Sequence, residues 1–237
     1  MKLLSLLCCL LVERYLIHNL AYGRFSWFSG YYQYCSKRGT PAVPSWLKTL
    51  LVFLSIYGVS WLVYRLTHTW LWGIVGFTSQ LLVLYYCIGP ALVFYPPLDE
   101  EANQESLVKQ YLSDGNSLIF TLFFWYTCFG IWAALLYRLL WLCAQQDHAL
   151  WLKRVVFCIE WIPARILGFL YLLAGNFQSG LAVYGKAWWN TNILEETGWA
   201  ALQSHTSELS NMPAAERLLY CALCLWLVVV AIGTLAV

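Results

Sequence analysis

The sequence predicts an all-α fold: a polytopic helical integral membrane protein with about four to six apolar helices, forming a single membrane domain over residues 1–237. Three observations predict it. Of the 237 residues, 61% are hydrophobic and 11% are charged, whereas about 25% of residues are charged in a soluble domain. Several apolar runs approach the roughly 20 residues that a transmembrane helix needs. Many of the 14 Trp residues lie near the ends of these runs, as in an interfacial aromatic belt.

Composition also excludes several classes of function. A formal net charge of +2 is too small and too dispersed to indicate nucleic-acid binding. Most of the nine Cys residues lie in apolar runs, where Cys behaves as a small hydrophobe. Cys221 and Cys224 form a CxxC pair, but no second Cys pair or nearby His completes a metal-site spacing. We therefore predict no metal site and no cofactor.

The predicted spans follow from the apolar runs. Residues 1–12 resemble a signal peptide at first, but no small-residue cleavage site follows them, so an uncleaved helix over residues 3–22 is favoured. A minimal connection around His68 makes the next two spans an antiparallel hairpin, and we take His68 as a solvated loop residue. A proline in the first turn of a helix favours a helix start near Pro213. The spans are predicted at 3–22, 46–66, 70–95, 117–144 and 218–236.

Three polar segments separate these spans. Residues 23–47 mix basic and aromatic side chains, which favours either a segment lying in the lipid headgroups or an ordinary loop. Residues 98–116 are acidic and predict a solvated loop with a short helix at 102–112, the alternative being a Mg²⁺ site. Residues 190–216 predict a polar loop. At the end of the span 117–144, Tyr137-Arg138 and Trp141 form an interfacial anchor pattern.

The stretch 155–174 has the length of a membrane helix but carries Glu160, Pro163 and Arg165 near its middle. Each charge at the bilayer centre costs about 2.5–3.5 kcal/mol on insertion scales. The polar groups must therefore face protein, water or the membrane surface. We predict an amphipathic or kinked helix here, and the pattern leaves open whether it spans the bilayer or lies in the interface.

These costs define a candidate polar seam or binding site. A second charged pair, Glu13 and Arg14, lies inside the predicted helix 3–22, and adjacent residues on a helix point too far apart to neutralise each other. We predict that Glu13 pairs with Arg165, since both sit at membrane depth. The alternative is an ion pair that only docks two helices together. The predicted seam comprises Glu13, Arg14, Glu160, Trp161, Pro163 and Arg165.

The segment Glu160-Trp-Ile-Pro-Ala-Arg165-Ile-Leu resembles the acidic-aromatic-apolar-Pro-x-Arg-Leu segment of AmpE-type membrane proteins, which are related to the CobD/CbiB amide synthases of cobalamin biosynthesis. Further stretches agree in the same order along nearly the whole chain. They are Val12-Glu-Arg-Tyr15, Cys87-Ile-Gly89, Leu122-Phe-Phe-Trp125, Gly130 and Tyr137-Arg138.

Departures from the synthases favour the AmpE branch. Where the synthases carry an acidic-Asn-x-x-Asp pattern, this chain has Ser113, Asp114 and Ser117, and amide synthesis needs carboxylates for metal binding and proton transfer. The resemblance implies a non-enzymatic regulatory protein of the bacterial inner membrane, linked to β-lactamase induction and cell-wall recycling. The lipid bilayer and another envelope or cell-wall recycling protein would be its partners. A CobD/CbiB-like amide synthase and a small transporter remain the alternatives.

Overall fold

The computed structural model describes residues 2–15, 25–38, 53–62, 65, 74–88, 104–146, 150–202 and 212–235. These residues are helical apart from short turns, and they contain no strand, which confirms the all-α prediction. The chain divides into two compact units. Unit 1 comprises Met1–Pro90 and Trp125–Cys158, and unit 2 comprises Ala91–Phe124 and Ile159–Val237. The single membrane domain over 1–237 stays a prediction.

Unit 1 is built from apolar helices and one helix rich in aromatic residues. Its described helices are α1 (Lys2–Tyr15), α2 (Ser26–Arg38), α3 (Phe53–Leu62), α4 (Ile74–Cys87) and α7 (Ile131–Gln146). Helix α4 packs against α1 and α7, and α2 also contacts α7. Part of the polar segment predicted at 23–47 is helical: in α2, Phe28 is buried in unit 1, whereas Trp27 and Tyr34 are about half exposed.

The predicted span 117–144 is not one helix. A π-helical turn at Asn116–Phe120 leads into α6 (Thr121–Phe129), which ends at Gly130 before α7 begins. Gly130 has a φ of +86°, a backbone conformation that residues with a Cβ avoid. Apolar periodicity continues across this residue, so the pattern predicted one helix where a single glycine divides it into two.

Unit 2 is arranged around a short helix in a segment predicted as loop. Its helices are α5 (Gln104–Gly115), α9 (Phe177–Ala187), α10 (Ile193–Leu202) and α11 (Met212–Leu235). Helix α10 packs against α5, α9 and α11. The prediction of a polar loop over 190–216 was wrong for α10, because Ile193, Thr197 and Ala201 recur every four residues and are buried on one helical face.

Helix α8 (Leu150–Ala174) extends through both compact units and is the longest helix described. It contains Pro163, which has no N–H to donate to the ladder, yet the helix runs from end to end around it. The prediction of a helix at 155–174 is confirmed, and the observed helix begins earlier. Helix α11 begins at Met212 with Pro213 in its first turn, as the sequence predicted.

Among the described residues, two helices are long and apolar enough to cross a membrane: α8 and α11. The segments Leu3–Val12, Phe53–Leu62 and Phe77–Cys87 are shorter apolar helices. They fall within the predicted spans 3–22, 46–66 and 70–95, whose remaining residues lie in part outside the described ranges. The count of four to six spans therefore stays a prediction, and the two long apolar helices are the finding.

Candidate functional site

The predicted polar seam is only partly within the described structure. The side chains of Glu13 and Arg14 lie outside it, so the predicted pair between Glu13 and Arg165 stays a prediction. In α8, Glu160 and Trp161 are half-buried, and Pro163 is buried. Arg165 is 4% exposed. The structure thus places Trp161 and Arg165 together, one helical turn apart, in unit 2.

The guanidinium of Arg165 is held by backbone carbonyls. Its Nε and one terminal nitrogen donate to the carbonyl oxygen of Trp188, at 3.3 and 2.9 Å. The same terminal nitrogen donates to the carbonyl of Asn190 at 3.2 Å, and the other donates to that of Trp161 at 3.2 Å. These are four hydrogen bonds from a group with five N–H donors. In the described part of the chain, no carboxylate lies within ion-pair distance of Arg165.

Two of these carbonyls belong to the turn that ends α9. Trp188 is the C-terminal cap of α9, and Asn190 follows two residues later. The last carbonyls of a helix have no partner within the helix and carry the negative end of its dipole. A buried arginine is favourable at this position, because it satisfies these carbonyls and meets a partial negative charge. Arg165 therefore ties the middle of α8 to the C-terminal end of α9.

Aromatic rings cover the guanidinium. Its central carbon lies 4.3 Å from the ring centroid of Trp161, within the range of a cation–π interaction. The Trp161 ring contacts those of Trp188 and Trp189, with centroids 6.3 and 6.2 Å apart. We call Arg165 with Trp161, Trp188 and the Asn190 carbonyl the arginine clamp. The neutral rings and carbonyls of the clamp make the cost of burying its charge smaller.

Tyr184 links the clamp to the next turn of α9. Its hydroxyl donates to the carbonyl oxygen of Arg165 at 2.9 Å, and its ring packs edge-on against Trp188, with centroids 5.4 Å apart. Burial raises the pKa of Tyr184, while the nearby Arg165 charge opposes that rise. The phenol therefore stays protonated at neutral pH and acts as a hydrogen-bond donor.

The turn between α8 and α9 fixes the direction of α9. Asn176 caps α9, because its side-chain oxygen accepts hydrogen bonds from the backbone N–H groups of Gln178 and Ser179. Its own N–H donates to the carbonyl oxygen of Ala201 at 3.1 Å. A Cβ on Gly175 would lie 2.8 Å from that oxygen, so only glycine permits this close approach of α10. We call this closely packed turn between α8 and α9, at Gly175 and Asn176, the corner; the clamp joins the same two helices.

The acidic segment at 98–116 is helical from residue 104 onwards, while Asp99, Glu100 and Glu101 lie outside the described residues. Glu105 forms an ion pair with Lys109 one turn along α5. Partial desolvation of the Asp114 carboxyl, together with the Glu195 carboxylate, raises the pKa of Asp114. Within the described ranges, no group of three or more His, Cys, Asp or Glu side chains could hold a metal ion.

Sequence reasoning missed the partners of Arg165 and misjudged a second arginine. Trp188, Asn190 and Tyr184 carry no sequence signal that assigns them to Arg165. Arg138, predicted as part of an interfacial anchor, is 1% exposed and lies inside unit 1. A charge inside an apolar run is costly, and this reasoning identified Arg165 as a residue that needs partners. The same reasoning applies to Arg138, because Arg138 also interrupts an apolar run.

Comparison with known proteins returns no relative. No protein-family model, no curated protein and no solved structure matches this chain.

Proposed function

We propose that the protein is a multi-pass membrane protein of the bacterial inner membrane with a regulatory, non-enzymatic role. The observation that carries the membrane assignment is the exposure of α11. Only 22% of the most apolar 18-residue stretch of α11 is buried. The side chains of Val228, Ile232 and Leu235 are more than half exposed. The core helix of a soluble protein buries such a surface, whereas a bilayer solvates it.

The arginine clamp supports a structural and regulatory role for α8. The donors of Arg165 go to backbone carbonyls that end α9, so this costly charge holds a helix corner together. A corner fixed by one charged group can act as a two-state element whose balance a partner or ligand shifts. The specific role, a link to β-lactamase induction as in AmpE-type proteins, is carried by the order of short motifs alone.

The test of the regulatory role is β-lactamase induction in a bacterial strain that lacks this gene. We expect deletion to change induction, and we expect complementation with the wild-type gene to restore it. Arg165→Ala should fail to complement, whereas Arg217→Gln, which removes an exposed positive charge from α11, should complement fully. Protein levels in the membrane fraction must be measured for each variant. Unchanged induction in the deletion strain would overturn the regulatory role.

One observation favours the CobD/CbiB-like synthase as the second candidate. Desolvation by burial, and after it the nearby Glu195 carboxylate, raise the pKa of Asp114, and a carboxyl group with a raised pKa is suited to proton transfer. The purified protein would then couple an amine to an activated acid, and Asp114→Asn would abolish the coupling while Glu196→Gln would not. Absence of coupling by the wild-type protein removes this candidate.

A further inference from the structure

Unit 1 contains a cavity between α2, α3, α4 and α7. Its volume is about 580 Å³, within the range of roughly 300–1,000 Å³ typical of small-molecule sites. All of its described lining residues belong to unit 1. The cavity is thus separate from the arginine clamp of unit 2, and the proposed regulatory role does not use it.

The wall of this cavity is apolar, and its charged group is committed to the protein. Phe28 and Leu139 line the cavity and are buried. Arg138, the charged residue among the described lining residues, is 1% exposed. Its Nε donates to the carbonyl oxygen of Cys87, and its guanidinium lies over the ring of Trp141. A charged group brought into the cavity would lose its water without gaining a partner. The wall therefore suits an uncharged, apolar ligand group.

The mouth of the cavity is bordered by large apolar side chains that the protein leaves exposed. Leu82 and Trp27 line the cavity, and they are 66% and 47% exposed. The indole N–H of Trp27 donates to the hydroxyl of Tyr86, so this polar group is already used within the protein. Exposed apolar surface continues on α3, where Val59 and Leu62 are more than half exposed. Exposed apolar surface of this kind marks contact with an apolar partner, so a ligand meets hydrocarbon at the mouth as well as inside.

From the apolar wall and the apolar mouth we propose that the cavity binds one hydrocarbon chain of a lipid from the surrounding bilayer, with the headgroup of that lipid outside the cavity. A chain in this position covers the apolar wall, and the open mouth lets the rest of the lipid stay outside. A water-soluble metabolite would carry polar groups to a wall that cannot bond them. The bilayer as the source of the chain rests on the membrane assignment of the proposed function, which fractionation of cells into membrane and soluble proteins tests separately.

The first experiment separates the contribution of the chain from that of the headgroup. The full-length protein is purified in a neutral steroid-glycoside detergent, and binding is measured by native mass spectrometry. The probes are dodecyl phosphate, dodecyltrimethylammonium and hexyl phosphate. We expect each dodecyl probe to saturate at one molecule per chain.

The two dodecyl probes should bind with affinities equal within about 3-fold, because a headgroup in solvent interacts weakly with surface charges. Hexyl phosphate should bind at least about 10-fold more weakly, because it buries fewer methylene groups. A larger preference for either headgroup charge, binding that does not saturate, or a protein dimer that excludes the probes would overturn the proposal.

The second experiment fills the cavity. Val83→Phe and Ile56→Phe each add volume at a half-buried lining position, one on α4 and one on α3. Each should weaken binding of dodecyl phosphate by about 10-fold or more, because the space for the chain is lost. The matched control is Val59→Phe, at a position of α3 that is 63% exposed, which should leave binding unchanged. If one filling variant does not fold, the other decides the question: undiminished binding to a folded filling variant refutes the proposal.

Discussion

The two buried arginines of this protein, Arg165 in unit 2 and Arg138 in unit 1, meet the same physical problem in different ways. Both interrupt apolar helices, and both are almost fully buried. Arg165 donates four hydrogen bonds to carbonyls that include the end of α9. The Nε of Arg138 donates to the carbonyl oxygen of Cys87, the last residue of α4, and its guanidinium lies over the ring of Trp141.

Both arrangements share one physical principle. A helix end supplies unsatisfied carbonyls and a favourable dipole, so a guanidinium placed there becomes part of the scaffold. The carbonyl of Cys87 ends α4 as that of Trp188 caps α9, but α8 and α9 follow each other in the chain, whereas α4 and α7 are far apart in it. The clamp therefore holds neighbouring helices together, and the contact of Arg138 with Cys87 joins distant ones.

The largest expected effect is on Arg165. Arg165→Ala removes four hydrogen bonds and leaves the carbonyls of Trp188 and Asn190 without their donor. We expect the free energy of unfolding to fall by about 3–5 kcal/mol, because buried hydrogen bonds to a charged group are strong but not fully additive. Denaturation in sodium dodecyl sulfate, followed by Trp fluorescence, measures this.

Arg165→Lys separates the charge of this residue from its fork-shaped donor geometry. An ammonium keeps the charge but cannot reach all three carbonyls, so we expect it to recover less than half of the loss. Arg217→Gln, on an exposed position of α11, is the control and should change stability by less than about 0.5 kcal/mol. Equal stability of the alanine variant and the wild type would show that the clamp does not hold unit 2 together.

The next largest effect concerns the corner that supports the clamp. Gly175→Ala would place a Cβ 2.8 Å from the carbonyl oxygen of Ala201, so α10 would have to shift. We expect a loss of about 2–3 kcal/mol, typical of overpacking, measured by the same denaturation. Gly185→Ala is the matched control, because nothing lies within 4 Å of its added Cβ. Similar behaviour of the two variants would contradict the close approach of α10.

A smaller effect is expected at Tyr184. Tyr184→Phe removes the hydroxyl that donates to the carbonyl of Arg165 while keeping the ring against Trp188. The expected loss is about 1 kcal/mol, the usual net contribution of one hydrogen bond. Tyr57→Phe in α3 is the control, since the contacts of Tyr57 are with the rings of Phe53 and Trp132. If both variants lose the same stability, the hydroxyl of Tyr184 does not support the clamp.

The smallest effect is the pH dependence of unit 2, which we expect to arise from Asp114 instead of the clamp. Desolvation and Glu195 raise the pKa of Asp114 above its ordinary value of 3.8. Between that value and the raised pKa, the folded state holds a proton that the unfolded chain has released, so the stabilisation present at low pH is lost as pH rises.

Asp114→Asn should therefore increase stability at pH 7, and the gain should disappear below about pH 3.8, where Asp114 is protonated in both states. Unfolding midpoints from pH 3 to pH 8 measure this dependence. Glu196→Gln, at an exposed position in the first turn of α10 next to Glu195, is the charge-matched control. A gain that persists at low pH would exclude titration of Asp114 as its cause.

Sequence reasoning located the centre of the candidate site but not its partners. The helix around Glu160, Pro163 and Arg165 was predicted because a charge inside an apolar run is costly. The same argument identified Arg165 as a residue that needs partners. It could not identify Trp188 or Asn190, because these offer backbone carbonyls, which every residue has. It also placed Arg138 at an interface, since an arginine beside Tyr137 and Trp141 has the pattern of an anchor.

The all-α fold, the apolar helices α8 and α11, and the start of α11 near Pro213 could be predicted from composition and local periodicity, which act over a few helical turns. Three features required knowledge of tertiary packing: Gly130 divides one apolar run into α6 and α7, α10 is a packed helix, and Arg165 binds the carbonyls at the end of α9. Each depends on which groups approach one another from distant parts of the chain, and hydrogen bonds to the backbone leave no trace in residue type.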